Sequence, residues 1–457
     1  MTPRDILLAV LRHEETSHTP WIPFAGVHAG SLLGYDAKSV LTDADKLYEA
    51  LLEVNKLYLP FGLPVMFDLQ LEAEILGCEL VWSDNGPPFV SSHPLEDSGH
   101  VPCLCTLPRA EDGRLPVALD VMRRLKKSIG NDVALYGLVC GPFTLASHLR
   151  GTNIFMDMYD DEEYVKDLTA YCAAVCKRMS DLYIEAGMDV IAVVDPMVSQ
   201  ISSSHFEEFF SDAFTDIFGH IRQNKAFSSF FVCGDATRNV ESMCKTGPDS
   251  IAIDENIDLI AAKAVCDKYN ITICGNIPLT TVMLHGSQQD NIKYALDLID
   301  SVGDKRNFIL APGCDMPYAV PAANGIAIAQ AIWQTEDMRE LLKNYVAIED
   351  EEPVELPDYE NLKKPLVEVF TLDSTACAAC GYMLAAAVDM KNDFGEAIDL
   401  VEYRATEKEN IVRARQMGVA HLPSIYINGE LKFSSLIPDR SQFAQLIEQT
   451  IAKLGGR

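Results

Sequence analysis

Hydrophobic and polar positions alternate in two registers along the first ~340 residues. Short apolar runs of strand length are separated by longer stretches with apolar spacing near 3.6 residues. That alternation predicts parallel strands joined by helices. Eight strands are expected, at 19–24, 64–67, 133–139, 189–195, 228–233, 250–254, 271–277 and 307–312. Stretches 161–186 and 256–269 carry helical spacing and read as outer helices. Asp160-Asp161-Glu162-Glu163 places acids at a helix start, where the macrodipole favours them. The fold class expected is α/β, a TIM barrel of (β/α)8 type followed by a smaller α/β domain.

The pattern changes after the barrel. Residues 345–363 are acidic and proline-containing, with little periodicity, and read as a linker. The expected division is therefore a barrel over 1–344, the linker, and a second domain over 364–457. In the latter, 366–371, 397–404 and 424–427 read as strands, with helices from the Cys377 motif to about 394, over 407–417 and over 441–454. Asn428-Gly429 is a hairpin turn signal.

Composition narrows the function classes. The chain has 457 residues, enough for a barrel and a second domain, and a formal net charge of −30. That charge repels phosphate backbones, so nucleic-acid binding is not expected. No run of 18 apolar residues exists, and Met1-Thr2-Pro3-Arg4-Asp5 does not lead into an apolar signal region. No membrane association is expected. Thirteen cysteines, an odd and scattered set, suggest reduced thiols in a cytoplasm. Most should be core residues, Cys172 and Cys176 among them.

A barrel of this type carries its chemistry at the C-terminal ends of its strands. Those ends hold Asp195, Cys233, Asp254, Asn276 and Cys314. Each also has an ordinary structural reading. Asp195-Pro196 suits a turn and Asp254 a helix cap, while Asn276 can brace a loop before Pro278. Cys233 and Cys314 suit tight strand exits. Together, Cys233, Asp254 and Cys314 offer two thiolates and a carboxylate, a donor set that can hold Zn²⁺ with one position open. Such a metal would lower the pKa of an incoming nucleophile.

Several stretches carry a family resemblance. They are Glu72-Ala73-Glu74-Ile75-Leu76-Gly77-Cys78, Gly141-Pro142-Phe143-Thr144-Leu145-Ala146-Ser147, Glu185-Ala186-Gly187-Met188-Asp189, Cys233-Gly234-Asp235, Gly275-Asn276-Ile277-Pro278, and Leu310-Ala311-Pro312-Gly313-Cys314 with Pro321 and Asn324. In this order they resemble the methylcobamide:coenzyme M methyltransferase branch of the uroporphyrinogen decarboxylase superfamily. The resemblance implies methyl transfer between a corrinoid, carried on a methylated partner protein, and a small-molecule acceptor, either a thiol or tetrahydrofolate. It also implies zinc on Cys233, Cys314 and an acidic residue, for which Asp254 is suitably placed, with Asp195 and Asn276 orienting substrate. The family's histidine position is Phe231 here, which cannot bind metal. The decarboxylase proper matches less well, because Trp21 to Tyr35 holds no Arg or Lys to clamp a polycarboxylate.

The second domain carries Cys377-Ala378-Ala379-Cys380 between a strand and a helix. A helix N-terminus favours thiolate, which makes Cys377 the expected nucleophile and Cys380 the resolving thiol. The motif is also half of a four-thiolate zinc site, but no second Cys-x-x-Cys exists to complete one. The run Gly418-Val419-Ala420-His421-Leu422-Pro423-Ser424 is similar to the thioredoxin segment whose cis proline faces the active cysteines, which singles out Pro423. The resemblance implies a short thioredoxin-like domain, whose thiol pair would either keep Cys233 and Cys314 reduced or deliver electrons to a corrinoid or a bound thiol substrate. Two competing functions remain from sequence: a redox or corrinoid-binding protein whose barrel has lost methyl transfer, and a decarboxylase-type lyase acting on a small carboxylated substrate.

Overall fold

The computed structural model describes residues 1–303, 306–346, 353–374 and 378–455. The chain separates into two compact units, Met1–Val346 and Ala347–Arg457.

In the first unit seven parallel strands form one curled sheet. They are β1 (Gly62–Val65), β4 (Ala134–Cys140), β5 (Val190–Val194), β6 (Phe227–Val232), β7 (Ser250–Ile253), β8 (Thr272–Ile277) and β9 (Phe308–Pro312), in that spatial order. β2 (Leu80–Val81) and β3 (Phe89–Val90) make a separate two-stranded ribbon. Strands β4, β5, β7, β8 and β9 are buried at every position, as the near-continuous apolar runs require when both faces of a parallel sheet are covered. Their crossovers are helical. The longest helix, Glu162–Glu185, starts on the side chain of Asp161, which accepts from Tyr164 N, and buries Leu168, Cys172, Val175, Cys176 and Met179.

The two edges of the sheet are joined by residues 20–22. Ile22 N donates to Leu310 O, Leu310 N to Pro20 O, and Phe61 N to Trp21 O. The segment thus touches β9 on one side and the start of β1 on the other, in the manner of a TIM-like barrel. It makes only an isolated bridge, Trp21 to Leu310, where the sequence pattern suggested a strand over 19–24. Pro20 and Pro23 lack N–H donors and restrict ladder formation there. The strand expected at 64–67 lies two residues earlier, because Met66 takes a left-handed φ of 56° and ends the extended backbone.

The second unit holds a four-stranded sheet ordered β11 (Asp399–Arg404), β10 (Leu366–Thr371), β12 (Ser424–Ile427), β13 (Glu430–Ser434). β10 runs parallel to β11 and antiparallel to β12, and β12–β13 is a hairpin. Helices Ala378–Phe394, Lys408–Met417 and Arg440–Gly455 accompany it. Val367, Val369, Met383, Ala387, Ile425, Ile427, Phe443 and Ile447 form its core. The Leu422–Pro423 peptide is cis. Cys377 lies outside the described residues, as do 347–352 of the expected linker.

Candidate active site at the barrel mouth

The C-terminal strand ends gather the polar groups. Asp195 follows β5 and is fully buried. Its Oδ2 accepts from Phe143 N at 2.9 Å, and its Oδ1 from Thr144 N at 3.0 Å and Thr144 Oγ1 at 2.6 Å. The helix Pro142–Arg150 has Gly141 at its N-cap and no capping side chain of its own. Asp195 supplies that cap from the neighbouring strand. Glycine is required at 141, because a Cβ there would sit 2.4 Å from Asp195 Cβ. Burial raises the Asp195 carboxyl to about 7, against the pull of those donors.

Cys233 follows β6 and Cys314 follows β9, strands that are not neighbours. Their side chains meet across the mouth as a disulfide, with Cα atoms 5.8 Å apart. Cys233 is 7% exposed, whereas Cys314 is partly exposed. The other cysteines of this unit, such as Cys140, Cys172, Cys176 and Cys274, are free thiols. Burial pushes the thiols of these four up, so they are inert core groups.

Asp254 follows β7. Its Oδ2 accepts from Gly234 N at 2.7 Å, and its Oδ1 from Asn256 N at 2.9 Å and Asn256 Nδ2 at 2.5 Å. Asn276, in β8, donates Nδ2 to Asp254 O at 2.9 Å and Ile257 O at 2.8 Å. It braces the loop that follows β7. Phe231 occupies β6 two residues before Cys233, on the same face of the strand. Its ring packs 4.6 Å from Phe24 and 5.9 Å from Phe67, centroid to centroid.

These positions do not fit zinc. The two sulfurs are bonded to each other, and the Asp254 oxygens are taken by backbone and side-chain donors. An apolar cluster stands at residue 231, where a third donor was needed. Among the described residues no group of three His, Cys, Asp or Glu side chains could hold a metal ion. The expected set Cys233, Asp254, Cys314 is therefore brought together at one mouth without forming a coordination site.

The mouth holds acids that the sequence pattern did not single out. Glu255 accepts from Leu279 N at 2.5 Å, and burial together with the neighbouring Asp254 raises its carboxyl. Asp315, next to Cys314, is raised well above the usual range by burial, and among the described residues its Oδ1 has no hydrogen-bond partner. Glu72 accepts from Cys140 N at 2.9 Å, and burial pushes it up to about 8. Asp68, beyond β1, is buried against Arg114 at 2.5 Å, and Arg114 Nε also reaches Glu74 Oε2 at 2.7 Å. The available signal was an acid directly after an apolar run, as in Ile253-Asp254-Glu255.

In the second unit Cys380 is buried in the first turn of its helix, and Leu372 N donates to its sulfur at 3.4 Å. Pro423 precedes β12, and its carbonyl accepts from Ser435 N at 2.9 Å. Among the described residues no helix is long and apolar enough to cross a membrane.

Comparison with known proteins places this geometry in context. Residues 2–334 match the family model described as uroporphyrinogen decarboxylase (URO-D). A methylcobamide:CoM methyltransferase, MtbA of Methanosarcina acetivorans, is 26% identical over 353 residues, covering 75% of this chain and 98% of that protein. A uroporphyrinogen decarboxylase of a Synechococcus strain is 23% identical over 291 residues, covering 62% and 81%. A solved methyltransferase from Methanosarcina mazei shares the fold with a TM-score of 0.66 at 21% identity, over 75% of this chain and 99% of that one.

Proposed function

The chain belongs to the uroporphyrinogen decarboxylase family, and from that premise we propose that its barrel moves a methyl group from a protein-borne methylated corrinoid to a small thiol. The observation that carries this reading is the similarity to a methylcobamide:CoM methyltransferase over nearly the whole of that relative. The cation-free stretch Trp21 to Tyr35 supports it against a polycarboxylate substrate, which needs basic clamps.

In this reading the corrinoid and the acceptor are both substrates. The acceptor sulfur attacks the methyl carbon, the carbon–cobalt bond breaks, and its electron pair stays with cobalt. Glu255 takes the acceptor's proton, since its raised carboxyl lies closer to a thiol than an ordinary glutamate does. Asp195 and Asn276 act as positioning residues, through the helix N-terminus and the loop they hold. No step is assigned to zinc.

The second unit serves as a thioredoxin-like redox domain with Cys377 and Cys380 as its thiol pair. Support comes from the strand order β11-β10-β12-β13, Cys380 in a helix first turn, and Pro423 ahead of β12. The proposed domains are thus a barrel over 1–344 and a redox module over 364–457, in a cytoplasmic protein.

The test is methyl transfer from free methylcobalamin, under a non-thiol reductant, to a panel of thiols and tetrahydrofolate. A thioether product with release of cob(I)alamin is expected. Transfer to tetrahydrofolate alone moves the acceptor class. Failure with every acceptor by folded protein rejects the reading. It then favours a barrel that has lost methyl transfer, the alternative to which Phe231 and the joined cysteines point.

A further inference from the structure

Two cysteines from non-adjacent strands, 81 residues apart in sequence, converge at the one place where the fold puts its chemistry. Acidic groups stand around them. Asp254 bonds the backbone beside Cys233, Asp315 follows Cys314, and a Cβ on Gly313 would come within 2.6 Å of Glu255 N. Two thiolates in that setting need a compensating cation, and the donors for one are engaged elsewhere or replaced by Phe231. A dithiol and a disulfide are both neutral and have no such requirement, so the pair can pass between those two states without a metal. The remaining cysteines of the unit stay unjoined, even Cys244 and Cys266 with sulfurs 3.8 Å apart, so the pairing is particular to the mouth.

We propose that Cys233 and Cys314 form a reversible two-electron thiol–disulfide centre that exchanges with small-molecule thiols and disulfides at the barrel mouth. The unequal exposure of the two residues sets the order of events. A thiolate RS⁻ attacks Sγ of Cys314, the more exposed of the two residues. The Cys233–Cys314 bond breaks, and Cys233 leaves as a thiolate that takes a proton from solvent. A second RS⁻ attacks the RS sulfur of the Cys314 mixed disulfide, releasing RSSR and the Cys314 thiolate. Each turn oxidises two RSH to RSSR and reduces the protein disulfide to a dithiol; the reverse direction reduces RSSR. This activity needs no corrinoid and stands apart from methyl transfer.

The test uses the full chain. The protein is equilibrated in buffers of graded 2-mercaptoethanol to 2-hydroxyethyl disulfide ratio, quenched in acid, alkylated under denaturing conditions, and mapped by mass spectrometry. The expected result is that the Cys233 and Cys314 peptides pass together from linked to alkylated in one two-electron transition, while Cys140 and Cys274 are alkylated at every ratio. In single variants, C233S should carry the thiol adduct on Cys314 about ten-fold faster than C314S carries it on Cys233. Three results overturn the proposal: alkylation of both cysteines at every ratio, linkage of either to a different cysteine, or a stoichiometric zinc ion that keeps both sulfurs reduced. The wild-type titration reads out the pair even if a variant fails to fold. Because linkage is measured rather than turnover, failure of methyl transfer leaves the outcome unchanged.

Discussion

Thr144 gives Asp195 both its hydroxyl, at 2.6 Å, and its backbone N–H, at 3.0 Å, so one carboxylate oxygen ties the end of β5 to the start of the helix Pro142–Arg150. The other oxygen takes Phe143 N. In D195N one of the two acceptors becomes an N–H donor facing N–H groups. A loss of about 2–3 kcal/mol is expected, read as a lower urea midpoint with unchanged slope. T144V removes only the hydroxyl and should cost about 1 kcal/mol. Equal stability of D195N and the wild type at pH 8 would show that the cap carries no weight.

Glu72 links stability to pH. Its folded carboxyl titrates near 8, against an ordinary value of 4.5. Between those values the folded protein keeps a proton that the unfolded chain releases, so stability is full below about pH 4.5 and falls as pH rises toward 8. One such group contributes at most about 1.4 kcal/mol per pH unit. E72Q keeps an acceptor for Cys140 N and removes the titration. Its stability should fall less steeply than the wild type's between pH 5 and 8, and parallel curves would exclude Glu72 as the source.

Phe231 separates packing from coordination. F231A should cost about 3–5 kcal/mol through the cavity left beside Phe24 and Phe67. F231H places an imidazole two residues from Cys233. Under a non-thiol reductant it should retain about one zinc per chain, while the wild type retains none through gel filtration. Metal analysis decides this, and equal zinc in both proteins removes the significance given to residue 231.

Arg114 is buried against Asp68 and reaches Glu74. R114M leaves Asp68 without its counter-charge, and a loss on the order of 3–5 kcal/mol is expected. The double variant R114M/D68N should recover part of that loss, because the stranded charge is gone. Additive costs in a double-mutant cycle would mean that the two side chains act independently.

The parts of the fold legible in the sequence are those where local and global demands agree. Strands β4 to β9 announce themselves as apolar runs, because a parallel sheet covered on both sides has no polar face. The edges were harder. Residues 20–22 bond on both sides without continuing as a strand, and Met66 ends β1 through a backbone angle that no pattern encodes. At the mouth, Cys233 and Cys314 were legible as the first reactive groups after apolar runs. Their joining was not, because it depends on strands far apart in the chain. Nor does sequence say which way a carboxylate points. Asp195 and Asn276 read as groups aimed at substrate, whereas their hydrogen bonds go to backbone and, for Asp195, also to the Thr144 hydroxyl. Glu72 and Asp315 owe their raised carboxyls to burial, a property of the assembled core.

The clasp at residues 20–22 bears on how the barrel is made. Trp21 leaves the ribosome long before one of its two partners, Leu310, which belongs to the last strand of the ring. Through most of synthesis the sheet has an open flank that cannot be sealed, and the final pairing is among the most non-local in the chain. Until β9 emerges, the exposed edges of β1 and of the newest strand are templates for wrong partners. Crowding of nascent chains should therefore harm this protein before closure far more than after it.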